Sequence, residues 1–311
     1  MSEVRIATRD GYGQTLVELG KEHDDIVVLD ADLAAATKTA MFKKEFPDRF
    51  FDCGIAEANM MGIAAGLAST GKVPFASSFA MFAAGRAYEQ VRNSIGYPEL
   101  NVKVCASHAG ISVGEDGATH QCNEDIALMR TIPGMMVVVP SDDVEVKAAT
   151  RALYEHKGPS YMRLGRLAVP VINDNPDYKF ELGKGVLLKE GKDVTVIATG
   201  LPVCECLEAA KELEKDGISA EIINIHTIKP IDEDIIIKSA SKTGKVVTVE
   251  EHSVIGGLGS AVCDVLSEKH PVKVRKIGIN DVFGESGPAL ELIAKYGLDA
   301  KSIYAKIKDF C

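Results

Sequence analysis

Glu57 is the only ionisable side chain between residues 54 and 68, a stretch of small and apolar residues. Gly54 marks a turn, and the residues after it follow a pattern typical of a helix that is too apolar on every side to face water. An ionised carboxylate in such a place is costly unless another group hydrogen-bonds it. Glu57 is therefore either a functional group with a bound partner or a residue that the helix dipole favours at a helix N-terminus. This stretch alone leaves both interpretations open.

A long loop, residues 107–121, carries a second set of side chains that could take part in chemistry. His108, Asp116 and His120 are spaced along it, among several glycines. These groups can form hydrogen bonds, transfer protons or bind a metal ion, but the spacing of the two histidines is not that of a known metal site. The alternative is a glycine-stabilised connection in which the histidines have no function.

The elements before these residues decide whether the residues can meet. Short apolar strands are expected at residues 26–30, 50–51, 73–76 and 102–106. Each strand is followed by residues that could serve a site: Asp32, Glu57, Phe79 with Phe82, and His108. Because the carboxyl ends of parallel strands lie at one edge of a sheet, we expect these residues to converge on one cleft. Phe79 and Phe82 are either core residues or the walls of a ring-binding pocket.

The repeated alternation of strands and helices predicts an α/β fold with a parallel sheet and helices on both of its faces. A polar break at residues 173–177 divides the chain into two parts. We expect a larger domain over residues 1–175 and a smaller α/β domain over residues 176–311.

Two local patterns carry further structural expectations. Residues 83–95 are expected to form one continuous helix. Gly256–Gly259 opens a helix after a strand, but Val262 stands where a dinucleotide-binding fingerprint requires glycine. We therefore expect these glycines to allow close packing of the helix on the strand.

The composition of the 311 residues limits the classes of protein that fit. Hydrophobic residues make up 46% of the chain and charged residues 26%, as in soluble globular proteins. The net charge of −10 argues against a nucleic-acid or membrane surface, and no apolar run is long enough for a membrane span. Seven cysteines without a repeated spacing predict reduced thiols in the cytoplasm, and Cys204 with Cys206 is only a weak metal signal.

Three segments resemble the C-terminal half of transketolase, and more closely the separate C-terminal subunit of a split transketolase. They are residues 54–60, 77–85 and 107–121, and the resemblance covers essentially the whole chain. The third segment is highly specific, whereas the first is shared by several thiamine-diphosphate enzymes. The resemblance implies a pyrimidine-binding domain followed by the smaller transketolase C-terminal domain.

The resemblance also implies a reaction and a cofactor. Such an enzyme transfers a two-carbon ketol unit from a ketose phosphate, such as xylulose 5-phosphate, to an aldose phosphate through a thiamine-diphosphate carbanion/enamine. The cofactor is needed because no side chain can act as the electron sink for a carbanion. Glu57 would hydrogen-bond the aminopyrimidine ring as a catalytic residue, Phe79 and Phe82 would hold that ring, and Asp32 would lie near it.

The same resemblance implies the substrate-binding residues. His108 and Asp116 would contact sugar hydroxyl groups, and His120 would lie beside the reacting carbons, so both histidines would be catalytic. Arg9 and Arg166 would bind the sugar phosphate, for which the planar guanidinium group is well suited.

The chain departs from the family at one phosphate-binding position. Ala36 stands where the family usually has a hydroxyl residue, and Thr37 beside it is the candidate substitute. Phosphate affinity and substrate choice depend on whether Thr37 can take that place.

The resemblance implies a partner subunit. The family holds the diphosphate and its Mg²⁺ with a Gly-Asp-Gly motif, followed later by Asn, in a separate domain, and this pattern is absent from the sequence. An N-terminal transketolase subunit would therefore supply these groups, in a heterotetramer with two chains of each kind.

Three other functions fit parts of the sequence. 1-Deoxyxylulose-phosphate synthase has a similar half, but that family typically has Asp at the position of His108. The β-subunit of a 2-oxoacid dehydrogenase lacks the segment Gly114–His120. A cofactor-free assembly module on the same fold would have no need of Glu57, Asp116 or the two histidines.

Overall fold

The computed structural model describes residues 4–311, in which strands and helices alternate. The strands of the first part are β1 (Arg5–Ala7), β2 (Ile26–Asp30), β3 (Phe50–Asp52), β4 (Val73–Phe79), β5 (Lys103–Ser107), β6 (Met136–Val138), β7 (Ser160–Arg163) and β8 (Ala168–Pro170). Its α-helices are α1 (Thr8–Glu22), α2 (Ala34–Thr37), α3 (Ala40–Glu45), α4 (Glu57–Ser69), α5 (Tyr88–Gln90), α6 (Asp125–Arg130) and α7 (Asp143–Glu155).

The second part continues the same alternation. Its strands are β9 (Val186–Lys189), β10 (Val194–Ala198), β11 (Ala220–Asn224), β12 (Thr227–Lys229), β13 (Lys245–Ser253) and β14 (Lys273–Ile279). Its helices are α8 (Pro202–Lys215), α9 (Glu233–Thr243), α10 (Leu258–Lys269), α11 (Ala289–Lys295) and α12 (Ala300–Phe310).

The larger sheet has the strand order β12-β6-β7-β5-β4-β2-β3, and its strands β2 to β7 are all parallel. Every residue of β2, β4 and β5 is buried, as expected for strands with helices on both faces. Alternate residues of β2 enter two different cores. Leu29 packs in the core that includes α4, and Val28 packs in the core that includes α1 and α7. The predicted α/β class is confirmed.

The smaller sheet has the order β14-β13-β10-β11-β9 and is parallel except for β9, which is antiparallel to β11. The short strand β12 does not belong to it. β12 pairs antiparallel with β6, where Thr227 lies opposite Val138, and so completes the larger sheet. The two parts of the chain therefore share hydrogen-bonded backbone.

The segment expected to be one helix over residues 83–95 is not one. It consists of two π-helical segments, Met81–Arg86 and Val91–Gly96, on either side of α5. A π-turn holds an extra residue, shifts the side chains that follow, and is frequent at functional sites. An apolar pattern with a period near 3.6 does not distinguish it from an α-helix.

The sequence interpretation also missed two helices in the second part, α9 and α12. Each has an aspartate cap whose carboxylate accepts a backbone N–H. The N–H of Ile235 donates to Asp232 at 3.3 Å, and that of Ser302 donates to Asp299 at 3.3 Å. Such caps are a recognisable helix-start signal.

The glycines before α10 serve packing, as expected. The Glu250 carboxylate is fully buried and accepts the N–H groups of Leu258 at 2.7 Å and Gly259 at 2.8 Å. A Cβ on Gly259 would lie only 2.7 Å from the Thr248 hydroxyl oxygen. The helix N-terminus is thus occupied by the chain's own carboxylate and does not form a dinucleotide site.

Within residues 4–311, no helix is both long and apolar enough to cross a membrane. All seven cysteines are free thiols, and Cys204 and Cys206 are buried on α8. No three His, Cys, Asp or Glu side chains among the described residues are grouped to hold a metal ion.

Candidate functional site

A cavity of about 430 Å³ opens where the carboxyl ends of β2, β3 and β4 meet the loop after β5. Polar and aromatic side chains on its walls are Asp32, Glu57, Phe82, Arg86, Thr119 and His120. They come from segments far apart in the sequence, and the parallel sheet brings these segments to one edge.

Glu57 is the first residue of α4, and its side chain is only 2% exposed. Its carboxylate has a partner that the sequence interpretation missed. Arg86 Nη1 donates to both carboxylate oxygens, at 3.2 and 3.0 Å. Arg86 is 54% exposed, and its guanidinium carbon lies 4.5 Å from the centre of the Phe82 ring. The buried carboxylate therefore lies at the cavity beside the long, partly exposed side chain of Arg86 and not beside an apolar wall.

Aromatic rings build one side of the site. Phe82 lies 5.2 Å from the His120 ring in an edge-on arrangement, measured between ring centres. Phe79 lies behind them, 6.0 Å from Phe82, and is stacked on the His108 ring at 3.9 Å. Phe79 is buried, whereas Phe82 reaches the cavity. Phe82 therefore forms part of the cavity wall, and Phe79 supports it.

His108 is buried and held on both ring nitrogens. Arg9 Nη1 donates to Nε2 at 3.3 Å, so the ring hydrogen lies on Nδ1, which is 2.9 Å from the Ser107 hydroxyl oxygen. Burial, together with the charges of Arg9 and Arg166, lowers the pKa of His108 to about 3. His108 is therefore a neutral hydrogen-bonding group at physiological pH. His120 Nδ1 is 3.0 Å from the hydroxyl oxygen of Thr119.

The two predicted phosphate ligands lie on adjacent segments. Arg9 is in the first turn of α1, and the N–H of Gly165 donates to the hydroxyl of Thr8 at 3.1 Å. Burial lowers the pKa of Arg9; Asp10 opposes this shift and the charge of Arg166 adds to it. Arg166 itself donates to the carbonyl of Val113 at 2.6 Å. It also donates to the Glu115 carboxylate at 2.9 Å.

Thr37, the candidate for the hydroxyl residue missing at position 36, is engaged inside the fold. It is buried, and its hydroxyl donates to the Asp30 carboxylate at 2.6 Å. At position 36 the backbone contacts one of the predicted phosphate ligands, because the Ala36 carbonyl accepts a hydrogen bond from Arg9 Nη1 at 2.9 Å. A third cation lies nearby, since Lys38 is paired with Asp10 at 3.0 Å.

Asp32 and His108 both have backbone conformations in the left-handed region, with φ of 63° and 56°. The Asp52 carboxylate supports the first of these turns by accepting the N–H of Asp32 at 3.2 Å. Such conformations are uncommon outside glycine and cost of the order of 1–3 kcal/mol, and they concentrate at functional sites.

The structure therefore brings most of the predicted residues into one connected group. Asp32, Glu57, Phe82 and His120 line the cavity, and Phe79, His108 and Arg9 form a chain of contacts behind it. Asp116 and Arg166 are not among the described residues that line the cavity. Asp116 is exposed at the end of the short 3₁₀ helix Ile111–Asp116. Arg86 was missed although a sequence signal exists, since it is the only charged residue among the small and apolar residues 79–87.

Two family models match the chain. The transketolase pyrimidine binding domain matches residues 4–171, and the transketolase C-terminal domain matches residues 183–303.

Individual relatives match over almost the whole chain. A protein of Methanocaldococcus jannaschii, named as a transketolase C-terminal section, is 55% identical over 99% of this chain and 98% of its own length. A 6-deoxy-6-sulfo-D-fructose transketolase subunit of Clostridium sp. (strain MSTE9) is 49% identical over 95% of this chain and 91% of its own length. A solved structure of a split-gene transketolase, described as an inactive beta4 tetramer, has a TM-score of 0.91 and 56% identity and covers 98% of both chains.

The fold and the matches define a two-domain protein with a pyrimidine-binding domain followed by a C-terminal domain. The chain belongs to the transketolase family, and along its length it corresponds to the C-terminal section of a split transketolase. The resemblance inferred from the sequence is confirmed. These matches favour a transketolase-family transferase subunit over the deoxyxylulose-phosphate synthase and 2-oxoacid dehydrogenase alternatives.

The residues present fit one part of thiamine diphosphate. A flat ring with hydrogen-bond donors requires a buried acceptor and apolar walls, and the cavity offers the Glu57 carboxylate with Phe82 and His120. The described residues offer no comparable set for Mg²⁺.

We predict that the His108 imidazole does not change its charge between about pH 5 and pH 8. Its folded-state pKa, about 3, lies below the unfolded value near 6.5, so the stability it contributes is present above that value and is lost as the pH falls toward 3. Histidine side-chain NMR, with His108 assigned by the loss of its signals in His108→Gln, measures this. The chain denatured in urea is the control, and a His108 midpoint above about pH 5 in the folded chain would contradict the prediction.

Proposed function

We propose that this chain, with an N-terminal partner subunit, transfers a two-carbon ketol unit from a ketose phosphate to an aldose phosphate. The observation that carries the proposal is the Glu57 carboxylate, 2% exposed, which lies at a cavity with aromatic walls. Thiamine diphosphate, when bound, would supply the electron sink that C–C bond cleavage requires.

Five residues of this chain would hold or flank the pyrimidine ring. Glu57 would accept a hydrogen bond from the ring, and its ion pair with Arg86 keeps the carboxylate in place beforehand. Phe82 would pack on the ring, and Phe79 lies 6.0 Å from Phe82 and supports it. Asp32 lies at the same cavity wall. This set would orient the ring.

The loop after β5 would contact the sugar. His108 is neutral and its orientation is set by Arg9 and Ser107, so a sugar hydroxyl would hydrogen-bond its ring by replacing one of these two partners. His120 is half-buried at the cavity wall, where a histidine can move protons to and from reacting oxygens. Asp116 is exposed on the same loop and would offer its carboxylate to hydroxyl groups of the sugar.

The anionic end of the sugar would bind at Arg9 and Arg166. The charges of both guanidinium groups act on His108, so positive charge lies close to this end of the site. The relative from Clostridium is named for a sulfonated ketose, and sulfonates and phosphates are both bound by such groups. We propose phosphate as the end group of the preferred substrates.

The partner subunit would dock on the outer face of α4. Ile55 before this helix is 77% exposed, and Gly62 and Gly66 within the helix have open space where a Cβ would stand. An apolar face made of small residues beside an incomplete cofactor site fits a subunit that brings the diphosphate and Mg²⁺. We propose two chains of each kind in the assembly.

We also propose a cytoplasmic location and a role in carbon exchange among pentose phosphates. All seven cysteines are free, and reducing compartments keep thiols in this form.

Replacing Glu57 by Gln should retain the fold and lower ketol transfer by a factor of the order of 10²–10⁴, because the amide is a poorer acceptor for the ring. The rate of the reconstituted pair is measured beside the melting temperature of the chain. Glu155→Gln changes an exposed carboxylate at the end of α7 and is the matched control. Equal rates for the Glu57 variant and this control would remove Glu57 from the mechanism.

Arg9→Ala and Arg166→Ala should each raise KM for phosphorylated sugars by about 10- to 150-fold, the range for a lost charge-assisted hydrogen bond. Unphosphorylated analogues should be affected much less, because they do not make this contact. Steady-state kinetics with both substrate types give the comparison. Arg151→Ala is the control, since Arg151 pairs with Glu18 and Glu22 on the outer surface. The phosphate site lies elsewhere if both substrate types respond equally.

The purified chain should show no ketol transfer with thiamine diphosphate and Mg²⁺ until the N-terminal subunit is added. The substrates are xylulose 5-phosphate and ribose 5-phosphate. Gly62→Arg should prevent activation by the partner while the melting temperature is retained, whereas Gly62→Ala should not, because only the larger side chain obstructs the face of α4. Robust turnover by the chain alone would refute the two-subunit proposal.

A further inference from the structure

The loop of residues 107–121, here called the sugar loop, is enclosed by the second domain. Two segments of that domain touch it, the end of β13 and residues 284–289 before and at the start of α11. The loop carries His108 and His120 and has hydrogen bonds of its own, such as that from the Gly117 N–H to the Gly114 carbonyl at 3.1 Å. The second domain adds further contacts to it, from the Glu251 carboxylate and from the Glu285 carbonyl.

Glu251 on β13 makes the central contact. Its side chain is 2% exposed, and its Oε1 accepts the backbone N–H of Ser112 at 2.7 Å. The carboxylate occupies the space where residue 110 would have a Cβ, since an added Cβ on Gly110 would lie 2.8 Å from the Glu251 Cγ. Gly110 also has φ of 80°, a conformation that other residues rarely adopt. Glycine at this position thus matches the carboxylate that covers it.

The buried side chain of Arg163 holds the backbone of Glu251. Arg163 at the end of β7 is 6% exposed, and its Nη2 donates to the Glu251 carbonyl at 2.7 Å. Its Nε donates to the Asp125 carboxylate at 2.9 Å. Tyr161 donates to the same carboxylate at 2.8 Å. Buried charges persist only when they are paired and hydrogen-bonded, so this cluster holds β13 against the first sheet.

A second contact ties the far end of the sugar loop to the same domain. Gln121 Nε2 donates to the carbonyl of Glu285 at 2.9 Å and to the carbonyl of Ile111 at 3.1 Å. The amide therefore joins Ile111 and the C-terminal end of the loop to the segment before α11. Glu251 holds the residue next to Ile111, Ser112.

We propose that Glu251 is a positioning residue for sugar binding, through which the second domain sets the conformation of the sugar loop. Glu251 is not among the residues that line the cavity, and it acts through Ser112 on the backbone that follows His108. Catalytic side chains must be held within a fraction of an ångström by groups that are themselves fixed, and the buried carboxylate supplies that support. The sugar-binding role rests on the proposed function, whereas the conformational role does not.

The first test is amide hydrogen exchange in the chain without partner or cofactor. Glu251→Ala removes the acceptor and should raise exchange in peptides covering residues 107–121 by about 10- to 150-fold, the range for a lost hydrogen bond to a charged group. Glu251→Gln keeps an acceptor oxygen and should raise it less. Glu250→Gln is the matched control, because the neighbouring buried carboxylate bonds α10 and does not touch the sugar loop.

The outcomes separate a positioning role from a general structural one. Faster exchange confined to the sugar loop supports the proposal, and unchanged loop exchange in both Glu251 variants overturns it. The proposal is also overturned if a Glu251 variant exchanges faster over the whole second domain, with the same distribution as the Glu250→Gln control. If Glu251→Ala does not fold, the comparison of Glu251→Gln with Glu250→Gln decides.

The second test uses the reconstituted pair and the KM values for both sugars. Glu251→Gln should raise these KM values several-fold and leave the thiamine-diphosphate affinity unchanged, since the loop contacts sugar and the ring contacts Glu57. A change in cofactor affinity with unchanged KM would overturn the proposed path. If no pair shows ketol transfer, the proposed function fails, and the exchange result still decides the role of Glu251 in the loop.

Discussion

Parallel pairing is the constraint from which the site follows. Because each crossover carries the chain back to the same end of the sheet, the carboxyl ends of strands β2, β4, β5 and β7 lie next to one another. The residues after these ends are the ones that line or support the cavity. The turns there are sharp, and Asp32 and His108 take left-handed conformations that the surrounding hydrogen bonds must maintain. A rigid sheet and strained exits together place side chains more accurately than a mobile loop would.

The charges around the site oppose the charge of the whole molecule. The chain has a net charge of −10, yet Arg9, Lys38 and Arg166 gather beside His108. A local positive region on an acidic protein can concentrate an anionic substrate while the rest of the surface repels nucleic acids. Deeper in the fold, Arg163 is paired with Asp125. Two of the cations beside His108 are also paired, Lys38 with Asp10 and Arg166 with Glu115, so an anionic substrate would compete with these carboxylates.

Local patterns in the sequence predicted much of this arrangement, and long-range pairing set the limit. Strand positions follow from apolar runs. The apolar stretch around Glu57 made burial one of two interpretations, and the structure shows a side chain that is 2% exposed. Arg86 was missed because its neighbours fit a helix pattern, and its partner Glu57 lies 29 residues away. The Glu251 contact joins residues 139 apart in sequence, and no periodicity reports such a contact. Thr37 looked suitable by residue type alone, but Asp30 already accepts its hydrogen. Side-chain partners of this kind become visible only when the chain is folded.

The short strand β12 belongs to the second part of the chain but completes the sheet of the first. It lies beyond the boundary expected near residue 175, yet it covers the edge of β6 in the larger sheet. A fragment that stopped at that boundary would present bare strand backbone to its neighbours, and exposed edges of this kind recruit other chains. Cleavage near residue 175 would therefore leave β6 as an edge strand of the larger domain and favour its association with other chains.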